Sequence, residues 1–491
     1  MDSNPNILLV FPKLGHDIRG VSFEPPMCYL CTAAPLLREG YQVTILDQRV
    51  MPDFYSRLKN SLARKPVFVG LSVMTGMQIS YALKIAKYVR RLVPDIPIVF
   101  GGVHPSLMPE QMLQNKLVDI IVRGEGEETA LDLVDALVTG GDLGQIDGLS
   151  FIEEGTTRHN PDRPYIDLNS QPEIPYHLVP IEKYLMGQVP GYRRSLDVYT
   201  SRGCPYACTF CYNQSFNKRN WRPIHIERII RNIRYLASKY NIDSVFFNDD
   251  NMFVNLPRVY EICDAIVNEL PNTLPWGSVG SRIDVLSKCD YDKLVRSGCK
   301  TLFIGIESGS DSVLSTMKKG ITVSQALDVV RDLSRTSIIP HYNFMTGYIG
   351  ERYEDLQATL DLIDQILDID PKAYISSLHV ATPYPGTPFY FEAIERGWTP
   401  PQTLEEWSNI YWEKTDVPWL DKEMKRRVSN ISILSYFIDH KVADRLNERK
   451  LMSAGVWLFG KMARFRWKHR WFDFCPDLQL LKKLNERSIL R

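Results

Sequence analysis

At 491 residues the chain is too long for one ordinary hydrophobic core, so two or three domains are expected. Hydrophobic residues make up 44%, charged residues 24% and aromatics 11%, which supplies large cores and excludes a disordered chain. Lys plus Arg and Asp plus Glu both number 58, so no global basic field points to a nucleic-acid partner, and no apolar run reaches the ~18 residues that read as a membrane span.

The segment from Met1 to Phe11 enters a strand-like run without the basic and apolar regions of a signal peptide, so a cytoplasmic protein is expected. Residues 1–141 alternate apolar runs with amphipathic stretches. Strands are expected at Asn6–Phe11, Gln42–Leu46, Val67–Val73, Ile98–Phe100 and Val118–Val122, with helices at Ala33–Glu39, Ile79–Leu92 and Thr129–Val138. That order predicts a flavodoxin- or Rossmann-like parallel sheet. Prolines and turn residues dominate 142–194, which reads as a linker. Alternation resumes over 195–398, with strands at Leu196–Thr200, Ser244–Phe247, Gly277–Ser281, Thr301–Ile306, His341–Met345 and Tyr374–Val380. Helices between them predict a partial (β/α)6 barrel, whose chemistry belongs at the C-terminal strand ends. Residues 399–491 read as a helical C-terminal region. The whole is of the α/β class.

Nine cysteines at uneven spacing argue against a disulfide framework, but three fall within eight residues, in Ser201-Arg-Gly-Cys204-Pro-Tyr-Ala-Cys208-Thr-Phe-Cys211-Tyr-Asn213. A cubane iron–sulfur cluster normally takes four thiolates. This loop, placed directly after the first barrel strand, supplies three and leaves one iron open to an outside ligand. Zinc is the alternative, but it prefers paired knuckles closing four ligands, and no second pair follows. A chance group of buried cysteines is the third reading.

The C-x3-C-x-aromatic-C loop resembles the signature of the radical S-adenosylmethionine superfamily. The resemblance implies a 4Fe–4S cluster on Cys204, Cys208 and Cys211, whose open iron chelates S-adenosylmethionine. It also implies reductive cleavage to a 5′-deoxyadenosyl radical, with electrons from an external flavodoxin- or ferredoxin-type donor. Later segments are family-like too. Within the loop, Tyr206 and Phe210 are expected beside the cofactor. Asp249 and Asp250, in Asn248-Asp-Asp-Asn251, stand where the family contacts the methionyl amino group, although on these residues alone a turn of Asx residues is the better reading. Ser281, Arg282, Glu307 and Ser308 resemble residues that hold the carboxylate and ribose; a structural ion pair across the barrel mouth is the alternative. Tyr348, in Gly347-Tyr-Ile-Gly350-Glu351, matches an adenine-contact position, with Ile349 and Arg352 departing from the usual pattern.

Ahead of the barrel, no G-x-G-x-x-G or Walker loop is present. Instead Ser72 follows the third strand, Gly101, Gly102 and His104 follow the fourth, and Gly124 and Glu125 follow the fifth. Glycines at strand ends allow a flat ligand to approach the backbone. The order resembles the cobalamin-binding domain fused to radical barrels in anaerobic magnesium-protoporphyrin ester cyclases and many methyltransferases, over roughly residues 5–395. These six residues are therefore expected to contact cobalamin. The D-x-H-x-x-G motif that supplies a cobalt-binding histidine is missing; Gly15-His16-Asp17 has the wrong order, and His104 is expected near the corrin without binding cobalt. Cys28 and Cys31 read as small apolar residues on a packing face, or as a redox pair.

Val456 to Phe472 alternates aromatics with Lys461, Arg464, Arg466, Lys468 and Arg470. Two readings stand: a segment touching membrane lipid or a hydrophobic substrate, and, favoured, a helix packing on the barrel with its basic stems reaching solvent. For the reaction, the class implies methyl transfer to an unactivated carbon through methylcobalamin, on a small-molecule or lipid-like substrate, or oxidation and cyclisation without methyl transfer. A methylthiotransferase would need three further N-terminal cysteines, and a cobalamin carrier would not need an open iron.

Overall fold

The computed structural model describes residues 4–15, 24–270, 273–410, 417–439, 453–473, 475 and 478. The N-terminal sheet comprises β1 (Asn6–Phe11), β2 (Gln42–Asp47), β3 (Val69–Ser72), β4 (Ile98–Gly101), β5 (Ile120–Val122), β6 (Leu149–Glu153) and β7 (Thr156–His159). They lie in the order β2-β1-β3-β4-β5-β6-β7, parallel as far as β5. Ile7, Leu8 and Val10 of β1 are fully buried, as expected of a strand covered on both faces. The last two strands are antiparallel and come from the stretch read as a linker. Gly155, at φ +80°, makes the turn between them, and the alternation in so short a hairpin was hidden among turn residues.

The barrel follows: β8 (Ser195–Val198), a two-residue pair β9 (Ser201–Arg202) and β10 (Arg222–Pro223), then β11 (Ser244–Phe247), β12 (Trp276–Arg282), β13 (Cys299–Glu307), β14 (Ile339–Thr346) and β15 (Tyr374–Val380). The six long strands run parallel in chain order and stay open between β8 and β15. All six expected strands are present, within a few residues at each end. Helices such as Ile226–Tyr240 and Tyr353–Ile369 cover the outside with apolar stripes.

An open sheet edge carries unpaired backbone groups that must be capped. Here the C-terminal region caps β15: the Asp439 carboxylate accepts from the Ile375 N–H at 2.9 Å and the Ser435 hydroxyl from the Leu378 N–H at 2.9 Å. The helix Lys422–Leu434 packs beside that edge, and the helix Ser453–Lys468 packs outside it. Among the described residues no helix is long and apolar enough to cross a membrane.

Candidate functional site

The cysteine loop leaves β8 at its C-terminal end and is pinched at its base by the β9–β10 pair. Gly203 opens it at φ +84°, and a Cβ there would collide with the Asn220 carbonyl oxygen, so the turn requires glycine. Each sulfur meets a side-chain N–H donor: Asn251 Nδ2 lies 3.7 Å from Cys204 Sγ, an Arg282 guanidinium nitrogen 3.2 Å from Cys208 Sγ, and Asn213 Nδ2 3.8 Å from Cys211 Sγ. Among the described residues no three His, Cys, Asp or Glu side chains converge as the ligands of a single ion do. Three thiols on one loop, each with a donor to its sulfur, are what a negatively charged cluster uses. The loop therefore fits a cubane better than zinc. Burial pushes the Cys211 thiol up to about 11 and moves Cys204 the same way, so loading the loop must release protons. Cys263, Cys299 and Cys475 are buried, and Cys289 is partly so, in other elements.

Asp249 and Asp250 were expected at an ammonium; the structure assigns them a different task. Asp249 accepts from the Thr200 N–H at 2.7 Å, the Ser201 hydroxyl at 2.6 Å and the Thr200 hydroxyl. Asp250 accepts from the Gly203 N–H at 2.9 Å, the Tyr212 hydroxyl at 2.8 Å and Asn213 Nδ2 at 3.0 Å. The pair braces the cysteine loop from the end of β11, each carboxylate accepting three hydrogen bonds. Burial holds the Asp249 carboxyl at about 6 despite its donors.

The remaining barrel residues gather at the same strand ends. Arg282 stacks over Tyr206 at 3.7 Å, and its Nε donates to Asp284 at 2.9 Å. Glu307, at φ +77°, pairs with Lys319 at 2.6 Å, and Lys319 also lies 5.9 Å from the Phe210 ring. Arg282 and Glu307 thus have separate partners and form no pair across the mouth. A non-glycine residue at positive φ is strained backbone of the kind found at ligand sites. Ser281 is buried with its hydroxyl oxygen lacking any hydrogen-bond partner, a vacancy that suits a polar ligand. Ser308 and Tyr348 depart from expectation. The Ser308 hydroxyl faces Thr359 and the Ser310 N–H, organising a turn. Tyr348 is buried, stacked 4.4 Å from Phe389, with its hydroxyl on Thr209 between two of the cysteines, so it supports the loop from behind.

In the N-terminal half, the C-terminal ends of β1, β3, β4 and β5 form the crevice that open parallel sheets use for ligands. Ser72, Gly101 and Gly102 stand at the ends of β3 and β4. Gly102, at φ +95°, lets β4 turn against the Ser72 hydroxyl, and Gly124 leaves open space where a Cβ would point. Cys28 is exposed here, beside the Ser72 hydroxyl. That overturns the packing-face reading for Cys28. A bulky ligand with several polar groups fits such a crevice. His104 does not line it: the ring is fully buried, edge-on to Trp407 at 5.3 Å, with Nδ1 2.9 Å from the Thr75 hydroxyl, and burial lowers its pKa to about 3. His16 lies outside the described residues.

Glu125 also departs from expectation. Its carboxylate takes Arg222 at 2.7 and 2.9 Å, Arg202 at 2.9 Å and the Ile166 N–H at 3.1 Å, while Glu127 takes Arg202 at 2.6 Å. Burial alone would raise the Glu125 pKa, but the two guanidiniums, Arg222 foremost, hold it below the ordinary value. Arg202 stands two residues before Cys204. The loop after β5 is therefore bolted directly to the cysteine loop.

A second acidic group lies inside the barrel. Asp197 pairs with Phe246 across β8 and β11, and Phe246, Phe303, His341 and Tyr374 form a chain of ring contacts along the same face. Phe303, Gly305, Asn343 and Met345 on that face are partly exposed between buried neighbours, so the interior is open. Glu24, from the N-terminal domain, reaches this space and accepts from the Tyr199 hydroxyl at 3.1 Å and from Asn248. Asp197 is buried with Oδ1 unpartnered. Burial raises both carboxyls, and the Glu24 charge raises Asp197 further. The sequence reading missed this group; its one visible signal was an aspartate between Leu196 and Val198 in an otherwise apolar strand.

Two family matches divide the chain: residues 198–363 match the Radical SAM superfamily, and residues 22–134 match the B12 binding domain. An uncharacterized methyltransferase of Pyrococcus horikoshii is 34% identical over 394 residues, covering 79% of this chain and 83% of that one. An anaerobic magnesium-protoporphyrin IX monomethyl ester cyclase of Synechocystis is 29% identical over 377 residues, covering 76% and 73%. Among solved structures, the cobalamin-dependent radical enzyme OxsB with aqua-cobalamin and S-adenosylmethionine superposes with a TM-score of 0.75 at 20% identity, over 99% of this chain and 75% of that one. The radical methyltransferase TsrM of Kitasatospora setae gives 0.65 at 20% identity, over 80% and 75%.

Proposed function

This chain belongs to the cobalamin-binding radical S-adenosylmethionine enzymes, and on that footing we propose that it transfers a methyl group to an unactivated carbon of a small-molecule or lipid-like substrate. Its cofactors are a 4Fe–4S cluster, S-adenosylmethionine and cobalamin. When bound, the cluster supplies the electron that breaks the S–C5′ bond, and cobalamin supplies the methyl group.

The observation that carries this reading is the meeting of two strand ends. The crevice of Ser72, Gly102 and Cys28 opens toward the barrel interior, where Glu24 touches Tyr199 and Asn248, beside a cysteine loop bolted to the same domain through Arg202. A substrate lying there has the cobalamin crevice on one side and the cluster loop on the other. Cys204, Cys208 and Cys211 would hold the cluster. Ser281 and Arg282 would orient the amino-acid end of S-adenosylmethionine, and Glu307 with Lys319 its ribose. The covered lumen keeps water from the reacting carbon. The first of the relatives is named a methyltransferase, and a hopanoid C-3 methylase of Methylococcus capsulatus is 25% identical over 372 residues.

One observation favours a second reading, oxidation or cyclisation without methyl transfer. Transfer of methyl to a carbon radical needs no base, whereas an oxidative route, in which a bound cofactor would take the second electron and water would add to the resulting cation, releases a proton that needs one. Glu24, held by Tyr199 and Asn248, and Asp197, whose Oδ1 has no hydrogen-bond partner, are the carboxylates placed to take that proton. Trideuteromethyl-labelled S-adenosylmethionine separates the two. Methyl transfer delivers the label to product and forms S-adenosylhomocysteine and 5′-deoxyadenosine together. Substrate-dependent 5′-deoxyadenosine with unlabelled product would replace the methyltransferase reading with the oxidative one.

A further inference from the structure

The helix Ser453–Lys468 has two unlike faces. One is anchored. Ala463 and Trp467 are buried, Trp467 Nε1 donates to Asp364 at 2.7 Å, Arg470 reaches Asp361 and Asp364 at 2.7 Å, and Phe459 packs on Phe437 at 4.7 Å. The other carries Trp457, Leu458, Met462 and Phe465, each at least 40% exposed, with Trp471 just beyond at 49%. Five of the fourteen large hydrophobic side chains exposed among the described residues thus fall between 457 and 471, so this is a patch and not scatter.

The charges carried by the helix and the residues just after it share one sign, and the acidic groups nearby, Asp361 and Asp364, are engaged by Arg470 on the anchored side. Residues 453–472 contain five Lys and Arg and no Asp or Glu. Lys461 and Lys468 lie on the exposed face, and Lys461 sits 3.8 Å over the Trp457 ring, its stem along the apolar stripe and its ammonium at the rim. Arg466 and Arg470 belong to the anchored side. Half-sunk Trp and Phe with lysines at their edge are the composition of a helix lying in the plane of a bilayer surface. The helix is too short and too charged to cross one.

We propose that this helix docks the enzyme on an anionic phospholipid surface, with Trp457, Leu458, Met462 and Phe465 entering the headgroup boundary and Lys461 and Lys468 pairing with lipid phosphates. An acidic protein surface or a second copy of the chain could also cover the patch. Lysines as the only charges on the exposed face of the helix, beside a row of apolar side chains, favour lipid, because a face patterned for self-pairing would carry both signs.

The test is sedimentation of the full-length protein with vesicles of pure phosphatidylcholine and with vesicles containing one quarter phosphatidylglycerol. The wild-type protein should bind the anionic vesicles and release in high salt, while L458E/F465E binds about tenfold more weakly or not at all. A control variant, I152E/V267E, changes exposed apolar residues elsewhere and should bind like wild type. Equal vesicle binding by L458E/F465E and wild type would overturn the proposal, as would no binding by wild type. Lipid-free self-association that L458E/F465E abolishes, without vesicle binding, would assign the face to a dimer instead.

Discussion

Changing Glu125 to Gln keeps the side chain's shape but removes the charge that both Arg202 and Arg222 engage. The Glu125 side chain is only 8% exposed, against 15% for Arg222 and 28% for Arg202. Breaking a buried pair at one partner costs about 3–5 kcal/mol; the partly wetted guanidiniums place this one near 3 kcal/mol. The loss falls on the joint and not on either core, so it should register as local opening. At about 1.4 kcal/mol per decade, amides of 201–212 should exchange roughly a hundredfold faster in E125Q, measured by hydrogen–deuterium exchange on the cluster-free chain. The Arg158–Glu153 pair is about two-fifths exposed on each side, so E153Q should change nothing measurable at the loop. Unchanged exchange over 201–212 in E125Q would refute the claim that this ion network holds the cysteine loop to the N-terminal domain.

Two further outcomes follow from carboxylates at the strand ends of the barrel. Burial pushes Glu351 up to about 7, against the Gly347 and Tyr348 N–H groups and the Thr346 hydroxyl that favour its charge. The folded chain therefore keeps a proton that the unfolded chain loses above its ordinary value of 4.5. This contribution is fully present below about pH 4.5 and is lost as pH rises through 7, worth up to about 3 kcal/mol. Between pH 5 and 8, E351Q should lose less thermal stability than wild type, and parallel melting curves would contradict it. Asp250 gathers three donors of the cysteine loop, so D250A should lose iron to a chelator about 10- to 100-fold more readily after anaerobic reconstitution. Wild-type retention in D250A would mean that the loop holds its shape unaided.

What was legible in the sequence follows from which signals are local. A parallel strand buried along its whole length reads as a short apolar run, so Ser244–Phe247 is found where expected, and the edge strand Tyr374–Val380 is present over the expected residues as well. The cysteine loop declares itself by spacing. The hairpin β6–β7 was lost because two short half-exposed strands among prolines and glycines look like a linker. Site residues divide by the same principle. Ser281 and Arg282 reach the mouth because a strand end carries them there. Asp249, Asp250, Ser308 and Tyr348 also sit at strand ends, but their side chains are spent on Thr200, Gly203, Thr359 and Thr209, partners set by tertiary contacts that no spacing reveals. Glu24 and Arg202 were invisible for the converse reason, since each acts across the domain boundary on residues far away in the chain.

The account stands or falls on the three thiols of one loop. Anaerobically reconstituted wild-type protein should bind about four irons per chain and, with a reductant, convert S-adenosylmethionine to 5′-deoxyadenosine. The C208A variant should form none, while C263A, altered on a helix outside the barrel, should form as much as wild type. Formation of 5′-deoxyadenosine by C208A at the wild-type rate would contradict the assignment of the cluster to Cys204, Cys208 and Cys211.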